Sequence, residues 1–177
     1  MKKTHVLIAA AALVISISCN IPGNSTPTPA PRPGSIRGIL WHEICKFKGG
    51  QSGEPVVLGQ GCVQWGAGPG DFGPNQVKDD FETGLEGVTL HLGAGACPST
   101  GLATAVTNPA GAYLFEGLSA GTYCVSYSNL TDGNDKLLIP GGPTFPARGE
   151  DGFFATVEVA AGEERIVDFG YAFQFYD

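Results

Sequence analysis

The stretches GLEGVTLHL, residues 84–92, and TNPAGAYLFEGLSAGTYCVSY, residues 107–127, decide the fold of this 177-residue chain. Within the second stretch, the aromatic residues Tyr113 and Phe115 would lie on one face of a strand, and Leu114 and Glu116 would lie on the other. Alternation with a period of two is typical of strands that bury one face, and glycine-bearing turns separate the alternating pieces. These stretches therefore predict short antiparallel strands that are joined by tight turns.

The rest of the chain repeats this pattern of short strands and turns. Charged residues make up only 15% of the chain, and it contains 27 glycines and 13 prolines, a composition that favours a turn-rich β protein. We therefore predict an all-β fold, an antiparallel two-sheet β-sandwich of about seven to nine short strands with Trp41, Phe115, Tyr123 and Phe169 in the core. The predicted strands lie at 36–41, 62–65, 88–92, 103–107, 112–118, 122–127, 137–139, 153–159 and 165–175, with turns at 108–111, 132–134, 140–143 and 160–162.

The motifs in these strands resemble a known module. The runs G-L-x-G-V-x-L, T-x-x-x-G-x-Y-x-F-x-x-L and G-T-Y-x-V resemble the B domains of serine–aspartate repeat (SdrD-type) adhesins, which belong to the prealbumin-like and Cna-B-like surface β-sandwiches. RIVDFGYAF at residues 165–173 is similar to the last strand of those domains, where D-F-G-[FY] is common. The resemblance covers roughly residues 35–173 and implies a module displayed at a bacterial surface.

Residues 1–18 have the features of a secretory signal peptide. A basic start precedes an apolar run at residues 6–17, which is too short to span a bilayer. Cys19 follows directly and resembles the lipidated cysteine of a bacterial lipobox, although Ser16 stands where that motif usually has Leu. The alternatives are a lipid anchor on Cys19, which holds the protein at the extracytoplasmic face of the membrane, and ordinary cleavage with secretion.

Residues 19–34 form a proline-rich tether between this leader and the predicted domain at residues 35–177. Such a segment cannot build a core and favours an extended polyproline II conformation. At about 3.1 Å per residue, it reaches roughly 45 Å. We expect it to act as a spacer.

Four further cysteines predict a disulfide framework in an exported protein. Cys45, Cys62, Cys97 and Cys124 allow three pairings, and their spacing favours Cys45–Cys62 with Cys97–Cys124. The alternative, a zinc site made of four thiolates, lacks the usual C-x-x-C pairs.

An insertion at residues 46–78 departs from the SdrD-type pattern. In the B domains the first strand leads within a few residues into D-x-x-E-x-G-L, whereas here the insertion separates Trp41-His42-Glu43 from DDFETGL at residues 79–85. The insertion contains Gly-rich runs and Cys62, and begins next to Cys45. We expect a disulfide-pinned loop or extra hairpin at one end of the sandwich.

The resemblance also implies a calcium site, because these B domains bind calcium through the acidic run that joins their first strands. Carried over residue by residue, it implies Glu43, Asp79 and Glu82 as ligands, with Asp80 as an additional neighbour. Ca²⁺ prefers six to eight oxygen ligands, and the N-x-D-G part of the family motif is missing here. The sequence therefore leaves open a structural calcium ion or a solvated acidic turn.

The charge balance argues against nucleic acid as a partner. The formal net charge is −7, and removal of the two leader lysines leaves eight basic against 17 acidic residues, without a basic cluster. Outside the leader, the histidines are His42 and His91, and no nucleophile elbow or zinc-protease motif is present. The sequence thus indicates a protein that is not an enzyme.

Two kinds of function remain from the sequence. The first is a non-enzymatic cell-surface module, adhesive, binding or structural, which is attached to the bacterial membrane and recognises a protein or glycan that the sequence does not identify. The alternative is a carbohydrate-binding accessory module for a partner enzyme, which requires an exposed aromatic platform. Its candidate residues are Trp65, Phe72, Phe173, Phe175 and Tyr176.

Overall fold

The computed structural model describes residue 30 and residues 32–50, 54–68 and 70–173. These residues form thirteen β-strands, one short α-helix and one 3₁₀ turn. In chain order they are β1 Gly34–His42, β2 Phe47–Lys48, β3 Val57–Leu58, β4 Cys62–Gln64, β5 Phe72–Pro74, β6 Thr89–Ala94, β7 Ala103–Val106, β8 Ala112–Leu118, β9 Gly121–Tyr127, α1 Asp135–Leu138, β10 Gly141–Phe145, the 3₁₀ turn Glu150–Phe153, β11 Phe154–Val159, β12 Glu164–Ile166 and β13 Phe169–Phe173.

Nine of these strands build the two sheets of a β-sandwich. The first sheet has the order β10-β13-β1-β12, and β8 also pairs with β1. The second sheet has the order β11-β9-β6-β7 and is antiparallel throughout. The predicted two-sheet sandwich is therefore confirmed, with one departure: β1 pairs in parallel with β12 and β13.

A single register runs through the parallel partner of β1. Ser35 pairs with Glu164 and Leu40 pairs with Phe169, so β12 and β13 act as one strand that is interrupted at residues 167–168. Asp168 fills the interruption, because its Oδ1 accepts the N–H of Ile39 at 2.9 Å. The aspartate of the D-F-G run thus supplies a hydrogen bond that the backbone leaves out at this point.

The core lies between the sheets and follows from the alternation along the strands. In β8, for example, Tyr113 and Phe115 are buried while Leu114 is exposed. Tyr127 of the second sheet packs edge-on against Phe169 of the first, with ring centroids 5.2 Å apart. The buried apolar cluster comprises Ile36, Leu40, Val88, Leu90, Leu92, Tyr113, Phe115, Leu118, Tyr123, Val125, Tyr127, Leu138, Val157, Val159, Val167, Phe169 and Tyr171.

Two disulfides link the strands, in the pairing that the cysteine spacing favours. Cys45–Cys62 has a Cα–Cα distance of 4.6 Å, and Cys97–Cys124 has one of 4.9 Å. The first ties the start of the insertion to β4, and the second fixes the chain after β6 to β9 in the second sheet. In the chain-entropy picture each contributes about 3–4 kcal/mol.

The insertion contains two small hairpins, where the sequence predicted a disulfide-pinned loop or one extra hairpin. Strand β2 pairs with β3, and β4 pairs with β5, in both cases antiparallel. Because the four strands are only two or three residues long, they bury little apolar surface of their own. Their position therefore depends on the first disulfide and on contacts with the sandwich.

Two of the local predictions are wrong. The predicted strand at 137–139 is helical up to Leu138, whose side chain is fully buried and whose carbonyl accepts the Tyr171 hydroxyl at 2.7 Å. The predicted turn at 140–143 instead begins β10, which pairs with β13 at the edge of the first sheet. Pro143 is tolerated there because an edge strand has one side on which its N–H groups need no partner.

Several predictions concern residues outside those that the structure describes. They are the signal peptide at residues 1–18, the lipidated Cys19, most of the tether, and the aromatic candidates Phe175 and Tyr176. Within the described ranges, none of the helices has the length and apolar character needed to cross a membrane.

Asn134 holds the turn before α1 against the second sheet. Its side chain is fully buried, and its Oδ1 accepts the Thr89 N–H at 2.9 Å. Its Nδ2 donates to the carbonyls of Thr89 at 3.0 Å and Ser128 at 2.8 Å. One amide thus satisfies three backbone groups next to the first residue of β6.

We expect Asn134→Ala to lower the free energy of unfolding by about 2–4 kcal/mol, because it leaves buried backbone groups without partners. Chemical denaturation measures this change. The exposed neighbour supplies the control, since Asp135→Ala should alter the stability by less than about 0.5 kcal/mol. Equal effects of the two substitutions would contradict the role assigned to Asn134.

Candidate functional site

The acidic corner, defined as Glu43, Asp79, Asp80 and Glu82, lies where the insertion leaves and rejoins the sandwich. Glu43 follows the last residue of β1 and is 1% exposed. Its N–H donates to the Tyr171 carbonyl at 2.8 Å, which extends the pairing of β1 with β13 by one residue. The backbone thus directs this carboxyl group inward, although a glutamate would ordinarily be solvated.

Both glutamates of the corner accept hydrogen bonds from backbone N–H groups of the insertion and its flanks. Glu43 Oε1 accepts from Gln76. Glu82 is 4% exposed, and its two oxygens accept from Ile44 at 2.8 Å and from Asp79 at 3.0 Å. The two side chains therefore fasten both ends of the insertion to each other and to β1.

The two aspartates take different positions. Asp79 Oδ2 accepts a hydrogen bond from Asn75 Nδ2 at 3.0 Å, so this side chain stabilises the loop after β5. Asp80 is exposed. The structure thus brings Glu43 and Glu82 together, places Asp79 beside Glu82 through its backbone, and leaves Asp80 at the surface.

Burial raises the pKa of the Glu43 carboxyl above its usual value. The Thr144 hydroxyl and the Gln76 N–H oppose this effect, whereas the nearby charge of Glu82 adds to it. Hydrogen bonding offsets the effect of burial only in part, because the distances and angles around Glu43 Oε2 and Thr144 Oγ1 do not form a hydrogen bond with any described atom. The corner therefore contains a buried carboxyl group with one unsatisfied oxygen.

Gly170 makes room for this arrangement. A Cβ atom at that position would lie 2.7 Å from Thr144 Oγ1 and 2.9 Å from Glu43 Oε2. A larger residue would displace one of the two side chains. The glycine of the D-F-G run thus leaves space for the acidic corner, and the aspartate of the same run accepts a hydrogen bond from β1.

Sequence reasoning missed Gln76 and Thr144 as members of the corner. Gln76 lies in the insertion, and its Nε2 donates to the Thr144 carbonyl in β10. Gln76 also has a φ of 65°, which is uncommon for a residue other than glycine. No motif marks either residue, because the contact joins segments that are far apart in the sequence.

The donor set of the corner does not fit a calcium ion in this arrangement. The Glu82 oxygens and Glu43 Oε1 already accept backbone N–H groups, and Asp80 is turned outward. Among the described residues, no group of three or more His, Cys, Asp or Glu side chains is placed to hold a metal ion. Calcium binding by Glu43, Asp79, Asp80 and Glu82, which the family resemblance implies, is untested, and we derive no function from it.

The aromatic residues of the insertion do not form a flat open platform. Trp65 is 41% exposed, but the guanidinium of Arg148 lies 3.7 Å from its ring centroid and covers that face. Phe72 packs edge-on against Phe47, with centroids 4.9 Å apart. Phe173 packs in the same manner on His42 at 4.8 Å. Sugar rings stack on flat exposed faces, so these residues give the carbohydrate-binding alternative no specific support.

Comparisons with known proteins agree with the resemblance seen in the motifs. Residues 70–136 match the sequence model of the SdrD B-like domain, which confirms the resemblance over that range. A search of curated proteins found no match.

Among solved structures, the chain is similar to two pilins. For GBS52, the minor pilin of Streptococcus agalactiae, the identity is 11% and the TM-score is 0.42, over 83% of this chain and 47% of that chain. For the full-length major pilin SpaD of Corynebacterium diphtheriae, the identity is 14% and the TM-score is 0.39, over 80% of this chain and 32% of that chain. The chain thus spans less than half the length of either pilin.

We expect the stability of the protein to depend on pH through Glu43. A carboxyl group whose pKa is raised in the folded state contributes stability that is complete below its unfolded value, 4.5, and is lost as the pH rises through the folded pKa. The variant Glu43→Gln lacks this titration. As the pH rises above about 4.5, the parent should therefore lose stability that the variant does not lose. The free energy of unfolding of Glu43→Gln should increase relative to that of the parent.

Denaturation at a series of pH values measures this difference. The exposed Glu86 provides a matched control, and Glu86→Gln should track the parent more closely. A difference between Glu43→Gln and the parent that is the same at all pH values would contradict the prediction.

For calcium, we expect the melting temperature to be unchanged by several millimolar Ca²⁺, because Glu43 Oε1 and both Glu82 oxygens already accept backbone N–H groups and Asp80 is exposed. A ligand that binds only the folded state would raise the melting temperature by mass action. Thermal melts with Ca²⁺ and with a chelator test this. A rise that disappears in Asp79→Ala would instead establish a calcium site at the corner.

Proposed function

We propose that this protein is a non-enzymatic surface module of a bacterial lipoprotein, with a structural or adhesive role outside the cell. The match of residues 70–136 to the SdrD B-like domain carries the proposal, because it assigns the centre of the sandwich to a type of adhesin domain. The exported leader and the lipidation of Cys19 belong to the proposal and rest on the sequence.

The disulfides support an extracytoplasmic location. Cys45–Cys62 and Cys97–Cys124 join residues that are 17 and 27 positions apart. Disulfides persist in oxidising compartments and are rare where thiols are kept reduced. A domain stabilised in this way is suited to the outside of the membrane.

The start of the domain supports display on a tether. The proline-rich segment leads directly into β1, which lies inside the first sheet with β8 on one side and β12 and β13 on the other. The attachment point is thus part of the sandwich from Gly34 onward. Such a connection leaves the sandwich intact while the tether sets its distance from the membrane.

We expect Cys19→Ser to move the protein from the membrane fraction to the soluble fraction. Stable anchoring needs more than one acyl chain, each contributing about 0.8 kcal/mol per buried CH₂. Fractionation followed by immunoblotting measures the distribution, and Ser25→Ala, in the tether and outside the lipobox-like motif, serves as the control.

Display outside the membrane is tested in the same strains. Protease added to intact cells or spheroplasts should degrade the parent protein. If Cys19→Ser and the parent are distributed alike between the membrane and soluble fractions, the proposal of a lipid anchor on Cys19 is wrong. If the protein stays protected until the cells are lysed, the surface location is wrong as well.

A further inference from the structure

The two sheets leave an open seam between β7 and β8. Each of these strands pairs with only one described strand, β7 with β6 and β8 with β1. Two adjoining grooves of about 460 Å³ and 580 Å³ run along the seam, and both are lined by Thr104 and Leu114. The seam is therefore a place where backbone and apolar side chains are exposed together.

The register of β7 shows which of its peptide groups face the seam. Thr107 donates its N–H to the Val88 carbonyl at 3.0 Å, and the same antiparallel register sets Ala105 opposite Leu90. Because peptide groups in a strand point alternately to the two sides, those of Ala105 point to β6, and those of Thr104 and Val106 point away from it. The outward N–H and carbonyl groups of Thr104 and Val106 thus face no paired strand among the described residues.

Strand β7 itself carries no charged side chain, and the charged residues that line the two grooves, Arg37 and Glu116, belong to β1 and β8. The chain carries no Asp, Glu, Lys or Arg from residue 92 to residue 115, although its formal net charge is −7. Exposed edge strands in soluble proteins commonly carry charges or irregularities that prevent pairing. Here the side chains at the edge are apolar or small, and Leu102 and Val106 are 53% and 61% exposed.

We propose that β7 is a self-association edge, on which a second copy of this chain adds its own β7 in antiparallel orientation. A second copy fits better than a charged partner, because two acidic molecules can approach along this uncharged stretch without close repulsion. A twofold axis at Ala105 sets Thr104 of one copy opposite Val106 of the other. The outward peptide groups of both copies then satisfy each other.

This pairing joins the four-stranded second sheet of one copy to that of the other copy, which gives one sheet of eight strands. The interface is isologous, as is usual for dimers. Because β7 has only four residues, the interface is small, and the association should be weak and dependent on concentration.

Cysteine cross-linking of the full chain in cells tests the proposal. At the twofold axis the two Ala105 residues form a non-hydrogen-bonded pair, whose Cα atoms lie about 4.5 Å apart, within the range of a disulfide. We expect Ala105→Cys to give a dimer on non-reducing gels. Val57→Cys, at an exposed site in the insertion, is the matched control and should stay at background.

Two further substitutions in the Ala105→Cys background test the hydrogen bonds and the neutrality of the edge. Thr104→Pro removes an outward N–H and keeps the pairing with β6, and Val106→Lys adds a charge. Both should reduce the dimer to the background level, whereas Val57→Lys, at a site of equal exposure, should leave it unchanged.

Melting curves show whether the variants remain folded. Cross-linking of Ala105→Cys no stronger than that of Val57→Cys would overturn the proposal. So would dimers that persist at the same level in folded Thr104→Pro and Val106→Lys proteins. The cross-linking result is the yield of Ala105→Cys dimer relative to Val57→Cys dimer in the same strain, whereas the Cys19 experiment measures partitioning, so the two outcomes are distinguishable.

Discussion

The hydrogen bonds between β1 and the closing strands β12 and β13 hold the domain together, because they join its first and last strands in parallel. Two parallel strands must come from segments that are distant in sequence, and here the other strands of the sandwich lie between the two segments along the chain. Asp168 completes this pairing at the interruption between β12 and β13, where its Oδ1 accepts the Ile39 N–H. Gly170, two residues later, lets Glu43 and Thr144 approach each other. A short run in the closing strand thus connects the frame of the sandwich to the acidic corner.

The acidic corner attaches the long insertion to the small sandwich. Its hairpins are too short to stabilise themselves, so their ends are fixed by Cys45–Cys62 and by backbone N–H groups bound to Glu43 and Glu82. Because carboxylates are strong acceptors, the side chains of Glu43 and Glu82 can hold the backbone N–H groups at both ends of the insertion. Burial of the Glu43 carboxyl disfavours its charged form, so this solution has a free-energy cost.

Much of the fold could be predicted from the sequence, because alternation in strands such as β8 and β9 depends only on neighbouring residues. The disulfide pairing followed from spacing, and the two-sheet sandwich from the number of strands and turns. The helix at Asp135–Leu138 could not be predicted, since the buried Asn134 and the hydroxyl of Tyr171 determine that local conformation. The corner was predicted only in part for the same reason. Its glutamates belong to a recognisable motif, but Gln76 and Thr144 meet only in three dimensions.

The parallel pairing of β1 also determines how the domain responds to mechanical force. A pull on the chain ahead of Gly34 acts along β1, whose hydrogen bonds to β8, β12 and β13 lie across the direction of the load. These bonds are then sheared together instead of being opened one after another, as they would be in a strand peeled from an edge. Resistance to such loading is governed by the unfolding rate and not by equilibrium stability. A domain whose first strand lies inside its sheet can therefore be only moderately stable and still resist a pulling force.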